Sequence, residues 1–327
     1  MWIKEINKEL KEVSFVTRIG KSIAATSNQK TYLILNFVDN TGRIDARLWD
    51  SSKEDEEALK SNNYVNVTAE VNVFKGTIQL KVKSYTLITP QRIVEMGYKE
   101  ADFLITSAID VEKEYKNLIE ELKTFKNKTY SKITLHLLEK HKEKFLKYPG
   151  GMFVHHNVVE GLFWHSISLY KLAKQIKPVY SYAKNIDWEL VCCGTILHDL
   201  GKIFEIKDKQ GSDYTNYGKL IGHISIGNQL IFATAQELGL ISLETNIDDQ
   251  KNQDVLKMQH MIIASHGKKE YGSPIEPRII EAVILSTLDE MDARIYKIND
   301  ELERAEIDKY TAKVITENGT AYFKHFK

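Results

Sequence analysis

The hydrophobic pattern of this chain changes its period once, near Pro90, and this change limits the fold more than any other feature. From about residue 13 to residue 88, apolar and polar residues alternate, as in strands with one buried face. After Pro90, apolar residues recur three and four positions apart, as on one face of a helix. The sequence therefore predicts a small β domain followed by a larger all-α domain.

Two hairpins and a short helix account for most of the alternating part. The last four of its strands are expected at residues 31–39, 43–49, 65–73 and 78–82. Between the hairpins, the acidic segment 52–59 predicts one or two helical turns, capped by Ser51 or Ser52. Five strands with a helix between the third and the fourth are the layout of an OB-fold barrel, which commonly binds single-stranded nucleic acid or oligosaccharide.

Aromatic and basic side chains are what such a barrel would use to bind a strand, by stacking on bases and by contact with phosphates. The candidates are Tyr32, Phe37, Trp49, Tyr64 and Phe74 for stacking, and Arg43, Arg47, Lys75, Lys81 and Lys83 for the backbone. Barrel interiors also need aromatic residues, so burial is the competing interpretation for each ring. With 45 Lys and Arg against 45 Asp and Glu, binding of nucleic acid requires a local basic surface.

The rest of the chain is organised around helices. They are expected at 111–147, 157–176, 188–200, 222–238, 253–265 and 276–305. We expect a barrel over 1–89, a helical connector over 90–150, a second domain over 151–310 and a C-terminal tail over 311–327. Because the amphipathic region 111–147 could pack within one subunit or between two, a homo-oligomer stays open.

The composition is that of a well-packed globular protein in a reducing compartment. Cys192 and Cys193 are adjacent, so they build no disulfide framework. The first residues lack the apolar core of a signal peptide, and no stretch approaches the roughly 20 apolar residues of a membrane span. We therefore expect a cytoplasmic protein that has no membrane partner.

Histidines and aspartates recur in order along the helical part. His198-Asp199, followed by Gly201 and Lys202, lies where an apolar helix ends, so two side chains leave that end toward one point. The other members of the set are His165, His223, His260, His266 and Asp289. A single histidine is more often a core or surface residue, but this ordered set of imidazoles and carboxylates predicts a site for Mn, Fe, Zn, Ni or Mg. One carboxylate between two imidazole sets can bridge two metals, as in phosphoester hydrolysis.

The set His165, His198-Asp199 and Asp289 resembles the HD phosphohydrolase superfamily. The segments around His155-His156-Asn157, Tyr214–Gly227, Tyr271-Gly-Ser-Pro274 and Leu288–Ala293 are similar to the YhaM-type 3′→5′ exoribonucleases, and the similarity covers nearly the whole chain. That family pairs an N-terminal five-stranded OB-fold barrel with an all-α HD domain, which is the order predicted above. The resemblance implies metal-dependent hydrolysis of single-stranded RNA from its 3′ end to nucleoside 5′-monophosphates, with single-stranded DNA left open.

The resemblance also implies roles for particular residues. His165, His198, Asp199 and Asp289 would hold a first metal, with Asp199 bridging to a second metal held by His223 and His260. The family pattern has two histidines where this chain has Ser265-His266, which leaves His266 together with His155, His156 and Arg294 as candidates for substrate or second-metal contacts. Two divalent ions are expected, with Mn²⁺ favoured and Mg²⁺, Fe²⁺, Co²⁺, Ni²⁺ or Zn²⁺ compatible.

Asp199 and Lys202 are the expected catalytic residues. Asp199 would stand beside the attacking water, and Lys202 would contact a phosphate oxygen as a point charge. An ordinary lysine at a helix end is the alternative interpretation of Lys202.

The sequence leaves two other functions open. An HD phosphohydrolase could act on small nucleotides, but such substrates need no strand-binding barrel. A nucleic-acid-binding protein with a degenerate HD domain is suggested only by Ser265. The degradation of labelled RNA separates these possibilities from the exoribonuclease.

Overall fold

The computed structural model describes residues 1–27, 30–74, 77–151, 156–241, 249–314 and 317–326. The chain forms two compact units, one of Met1–Thr106 with Ile298–Lys327 and the other of Ser107–Lys297. This division differs from the expected boundaries in two respects. The expected connector is split between the units at residue 106, and the described part of the expected tail belongs to the barrel unit.

Five strands close into a barrel in the first unit. They are β1 (Glu12–Ser27), β2 (Lys30–Asp39), β3 (Gly42–Trp49), β4 (Tyr64–Phe74) and β5 (Thr77–Ile88), with α1 (Lys53–Ala58) between β3 and β4. Their order around the barrel is β1-β2-β3-β5-β4, and β3 and β5 pair in parallel. The predicted cap is Ser52, whose side chain accepts a hydrogen bond from the Asp55 amide. The OB-fold prediction is confirmed.

The barrel closes because β1 is long enough to pair with two strands. Glu12–Arg18 pairs with β4 and Arg18–Ser27 pairs with β2. The register shifts next to Gly20, where an added Cβ would lie only 2.5 Å from Val38 Cγ2. A glycine therefore allows the bend that joins the two halves of the sheet.

The interior of the barrel follows the alternation of the strands. Leu33, Leu35 and Phe37 of β2 are each at most 1% exposed, while the intervening residues point outward. Beyond β5, the first unit contains α2 (Pro90–Glu95) and a C-terminal segment with antiparallel bridges between Tyr310 and Phe323 and between Val314 and Thr320.

The second unit is helical and is built around one hydrophobic core. Its helices are α3 (Val111–Lys123), α4 (Lys128–Lys140), α5 (Lys142–Lys147), α6 (Gly161–Ile176), α7 (Trp188–Leu197), α8 (Lys202–Glu205), α9 (Asn216–Ile221), α10 (His223–Glu237), α11 (Gln250–Ile263) and α12 (Ile280–Arg304), whose last residues belong to the first unit. Every residue of α7 from Leu190 to Leu197 is buried, so this helix lies at the centre. Among the described residues, no helix is long and apolar enough to cross a membrane.

Candidate metal centre

The predicted ligands lie where helices meet around the end of α7. His165 projects from the middle of α6, and Asp289 projects from α12. His198 ends α7, and Asp199 follows it in the turn that leads to α8. Because α7 is apolar on all sides, it carries this doublet into the interior, where His198 is fully buried and Asp199 is 1% exposed.

Four side-chain atoms converge there, and we call them the first donor group. They are Nε2 of His165, Nε2 of His198, Oδ2 of Asp199 and Oδ1 of Asp289. His165 Nε2 lies 3.2 Å from His198 Nε2, 3.1 Å from Asp289 Oδ1 and 3.8 Å from Asp199 Oδ2. His198 Nε2 lies 3.3 Å from Asp199 Oδ2 and 3.8 Å from Asp289 Oδ1. Donors bound at about 2.0–2.2 Å to one ion are roughly 3–3.6 Å apart, and the distances of 3.1, 3.2 and 3.3 Å lie in that range while the two of 3.8 Å are slightly longer.

Asp199 also faces a second donor group, formed with His223 and His266. Donor atoms of these three residues lie within 4.8 Å of one another. Asp199 Oδ1 is 3.5 Å from His223 Nε2, while the other oxygen of the same carboxylate belongs to the first donor group. The carboxylate of Asp199 can therefore bridge two ions.

Gly201 allows the second donor group to form. A Cβ at this position would lie 2.1 Å from the backbone oxygen of His223, so only glycine permits the turn after Asp199 to pack against the start of α10. This close approach explains on steric grounds why the residue two positions after the His-Asp doublet is glycine.

The donor set fits divalent cations. Asp199 Oδ1 and His223 Nε2 are buried, and neither has a hydrogen-bond partner within the described ranges of the chain. Such buried polar atoms are unfavourable unless something compensates them, and a cation between them would do so. Imidazole nitrogen and carboxylate oxygen without thiolate suit Mn, Fe, Co, Ni, Zn or Mg.

The two donor groups contain four imidazoles. Each is held by a hydrogen bond from its Nδ1, which leaves Nε2 to face the other donor atoms. The acceptor for His165 is Asp292 Oδ2 at 2.8 Å, for His198 the carbonyl of Thr195 at 3.0 Å, for His223 Glu205 Oε2 at 3.0 Å, and for His266 the carbonyl of Tyr271 at 2.9 Å. Since these oxygens only accept, each Nδ1 carries the proton, which is the tautomer that binds metal through Nε2.

Sequence reasoning missed the two orienting carboxylates, Asp292 and Glu205. For Asp292 a signal was present, because it follows Asp289 by three residues on one helix and therefore lies on the same face. Glu205 offers no such signal. It reaches His223 only because α8 and α10 pack together, and it accepts from both the ring and the backbone amide of His223.

Neighbouring opposite charges shift the pKa values of the ligands in the centre. Burial would raise the pKa of Asp199, but Lys202, His198 and His223 hold it well below its ordinary value. Burial would also lower the pKa of His165, but hydrogen bonds to Asp289 and Asp292 raise it to about 9. Asp199 is therefore ionised at neutral pH, as a metal ligand must be, whereas His165 is protonated on both nitrogens without a cation and would release the Nε2 proton when one binds.

Lys202 lies in a different environment from the one expected. Its side chain is buried, and Nζ donates at 2.6 Å both to Asp199 Oδ2 and to the carbonyl of Gly150. Burial alone would lower the pKa of Lys202, but the charge of Asp199 raises it. The structure thus pairs this ammonium with the bridging carboxylate rather than exposing it to solvent.

His266, rather than His260, lies beside Asp199 and His223. Nε2 of His260 accepts from the Arg278 amide at 2.9 Å, and His260 belongs to neither donor group. His266, expected only as an additional contact, is the residue that faces Asp199 and His223. His266 reaches the centre because α11 ends at Ile263 and the loop after this helix turns back toward the donor groups.

The remaining candidates lie around these groups. His156 is 2% exposed, and its Nε2 lies 2.8 Å from the Asp292 oxygen that also contacts His165, so it is buried behind the first donor group. Arg294 is half exposed, with Glu290 at 3.6 Å on the same helix. His155 lies outside the described residues.

The barrel presents a separate candidate surface on β2 and β3. Tyr32 and Trp49 are paired across these strands with ring centroids 4.7 Å apart, and Trp49 is 48% exposed. Arg47 points to the same outward face and is in register with Lys81 of β5. We call these four residues the barrel face. Aromatic rings beside cations suit the bases and phosphates of a single strand.

The structure corrects the expectation for Phe37. This ring is 1% exposed and packs edge-on against Phe15 inside the barrel, so no base can stack on it. The other candidates that the structure describes are Arg43 on the outward side of β3, Tyr64 against Phe103, the exposed Phe74, and Lys83 paired with Glu12 and Glu70. Lys75 lies outside the described residues.

Comparison with known proteins agrees with both halves of this description. Residues 12–88 match the family described as OB-fold nucleic acid binding domain, and residues 162–294 match the HD domain. Among solved structures, a replication protein A heterotrimer bound to ssDNA aligns with 29% of this chain and 25% of that chain, at 12% identity and a TM-score of 0.23. This similarity is too low to bear on function.

Curated relatives match almost from end to end. A protein of Bacillus subtilis (strain 168) is 33% identical over 98% of this chain and 96% of its own length. Proteins of Geobacillus sp. (strain WCH70) and Halalkalibacterium halodurans are each 32% identical over 98% of this chain, and over 93% and 94% of their own lengths. All three are named 3′-5′ exoribonuclease YhaM. By its sequence and by its pairing of an OB-fold with an HD domain, the chain belongs to the YhaM exoribonuclease family.

Proposed function

We propose that this protein is a metal-dependent 3′→5′ exoribonuclease that hydrolyses single-stranded RNA to nucleoside 5′-monophosphates. The observation that carries the proposal is that Nε2 of His165 and Nε2 of His198 each lie 3.1–3.8 Å from carboxylate oxygens of both Asp199 and Asp289. Near-complete alignment with proteins named 3′-5′ exoribonucleases supports the choice of substrate and direction.

The reaction adds water across the P–O3′ bond that joins the last nucleotide to the chain. The terminal nucleotide leaves as a 5′-monophosphate, and the shortened chain gains a new 3′-hydroxyl. Divalent ions, when bound, would neutralise phosphoryl charge and lower the pKa of a water molecule. We propose two such ions, with Mn²⁺ favoured, one at each donor group.

The protein's own residues prepare that chemistry. Asp199 joins the two donor groups through its two oxygens, and Lys202 fixes one of these oxygens in place. Asp292 and Glu205 orient the imidazoles of His165 and His223. These contacts orient the ligands before substrate arrives, which reduces the reorganisation that the reaction requires.

The barrel supplies strand binding. Tyr32 and Trp49 would stack on bases, and Arg47 and Lys81 would contact phosphates. Binding to this surface would raise the local concentration of single-stranded RNA at the enzyme. It would not depend on the base sequence of the RNA. Because Cys192 and Cys193 are free and buried, we propose that the enzyme acts in the reducing cytoplasm.

Incubation of the protein with 5′-labelled single-stranded RNA and Mn²⁺ tests the proposal. A ladder that shortens from the 3′ end, with release of 5′-monophosphates, is the expected result. The same RNA ending in a 3′-phosphate is a control for recognition of the free terminus. Hydrolysis of free nucleotides with intact RNA would indicate a small-nucleotide phosphohydrolase instead, and bound but intact RNA would indicate a binding protein.

A further inference from the structure

The loop after α11 holds a ligand imidazole and an exposed aromatic ring together. Nδ1 of His266 donates to the Tyr271 carbonyl at 2.9 Å, and the His266 amide donates to Ser273 Oγ at 3.1 Å. Gly267 and Gly272 adopt φ angles of +76° and +96°, which permit the two turns of the loop. The backbone of Tyr271 is therefore fixed directly against a member of the second donor group.

The side chain of Tyr271 points away from this packing. The residue is 53% exposed, and the ammonium of Lys268 lies over its ring, 5.3 Å from the centroid. Lys268 also contacts Glu270 at 3.4 Å, but both partners are more than 60% exposed, so water screens this pair. An exposed ring beside a cation has the chemistry of a nucleotide-binding surface.

The proposed reaction requires such a surface close to the ions. An enzyme that cleaves the last phosphodiester must hold the departing nucleotide, whose base is one sugar away from the scissile phosphate. The hydrogen bond from His266 to the Tyr271 carbonyl anchors Tyr271 beside the second donor group. The Ser273 hydroxyl and the Tyr271 carbonyl are already used in hydrogen bonds to His266, whereas the tyrosine ring is exposed.

We propose that Tyr271 is the stacking surface for the 3′-terminal nucleobase, with Lys268 beside the phosphate of the same nucleotide. This inference rests on the proposed function and specifies its substrate subsite. Stacking accepts every base, since each base has a π-face, so the subsite would hold any terminal nucleotide.

A comparison of two substrates tests the inference. One is a 5′-labelled oligoribonucleotide that ends in adenosine, and the other ends in an abasic ribose with the same 3′-hydroxyl. In the wild-type enzyme with Mn²⁺, we expect kcat/KM to be about tenfold higher for the adenosine end, within the roughly 5- to 150-fold range of one stacked base. In Tyr271→Ala the two substrates should react equally, at the abasic rate.

Three controls separate stacking from loop structure. Tyr271→Phe keeps a ring and should keep the preference for adenosine. Tyr271→Ala should bind Mn²⁺ with wild-type affinity, because His266 contacts only the backbone carbonyl of Tyr271. Tyr182→Ala removes a tyrosine that is 76% exposed elsewhere in the helical unit, and it should leave both rates unchanged.

The outcomes distinguish the subsite from the activity. Equal loss on both substrates in Tyr271→Ala, no loss on either, or a wild-type enzyme indifferent to the terminal base would overturn the stacking role while the exoribonuclease stands. A wild-type protein that shortens no RNA would overturn the proposed function and the subsite with it.

Discussion

Asp292 accepts a hydrogen bond from Nδ1 of His165 at 2.8 Å, and this contact turns Nε2 of His165 toward the first donor group. The same oxygen of Asp292 lies 2.8 Å from Nε2 of His156. Burial would raise the pKa of Asp292, but the two imidazoles hold it below its ordinary value, so this carboxylate is charged at neutral pH.

We expect Asp292→Ala to weaken Mn²⁺ binding by about 10- to 100-fold, because the imidazole of His165 loses both its orientation and its charged acceptor. Asp292→Asn keeps an acceptor of the same shape and should recover part of the loss. Calorimetric titration of the metal-free protein measures both values. Glu290→Gln, an exposed change on the same helix, serves as control. Equal affinities for Asp292→Ala and wild type would exclude the orienting role.

Asp199→Asn should lower turnover of RNA by on the order of 10³-fold or more, since it removes the charge that both donor groups share. Binding of RNA should change little, because the barrel face is in the other unit. Rates on labelled RNA and fluorescence anisotropy report the two properties separately. Normal turnover in this variant would contradict the division of roles between barrel and centre.

Gly201→Ala places a methyl group against the backbone of His223, where a Cβ would lie 2.1 Å from its carbonyl oxygen. We expect an unfolding free energy about 1–3 kcal/mol lower, together with loss of the metal held by the second donor group. Gly97→Ala is the matched control, because its positive φ adds backbone strain where no atom lies within 4 Å of the new Cβ. Metal analysis should find fewer ions per chain in Gly201→Ala alone.

Much of this architecture could be predicted from the sequence, since period-two alternation and the ordered His and Asp residues are local patterns. The burial of Phe37 could also have been predicted from the sequence. Tyr32 and Phe37 are five residues apart on one strand, so they face opposite sides, and Phe37 shares its side with Leu33 and Leu35. Alternation therefore excludes two outward rings and assigns Phe37 to the interior.

What could not be predicted depends on contacts between distant segments. Glu205 contacts His223 because α8 packs against α10. His266, rather than His260, lies beside His223 because of the path of the loop after α11. The hydrophobic periodicity of the sequence predicts neither of these contacts. Lys202 illustrates the same limit, because its spacing from Asp199 predicts that they are neighbours but not that the ammonium is buried against Gly150.

Trp49→Ala should weaken binding of single-stranded RNA by roughly 5- to 150-fold, the value of one stacked base, since its exposed ring forms half of the stack with Tyr32. The unfolding free energy should stay within about 0.5 kcal/mol of wild type, as for other surface changes. Phe37→Ala should do the reverse and lower the unfolding free energy by about 3–5 kcal/mol. Anisotropy and urea denaturation measure the two quantities, and a stable Phe37→Ala with impaired binding would return Phe37 to the RNA surface.

Lys202→Met separates two roles for the buried ammonium. If Lys202 stabilises Asp199, its removal leaves a buried carboxylate without its cation, and the metal-free protein should lose about 3–5 kcal/mol of stability. The pKa of Lys202 is raised, so the pair is intact below the ordinary lysine pKa of about 10.4 and weakens only above it. Measurements at pH 8 therefore detect it in full.

Bound Mn²⁺ would compensate the same carboxylate, so the gap in Tm between the metal-loaded and the metal-free protein should be wider in Lys202→Met than in wild type. Differential scanning calorimetry with and without EDTA measures this gap. If Lys202 instead contacted a substrate phosphate, the gap would stay at its wild-type width and only KM for RNA would rise. The width of the gap therefore decides between a residue that holds Asp199 and a residue that binds RNA.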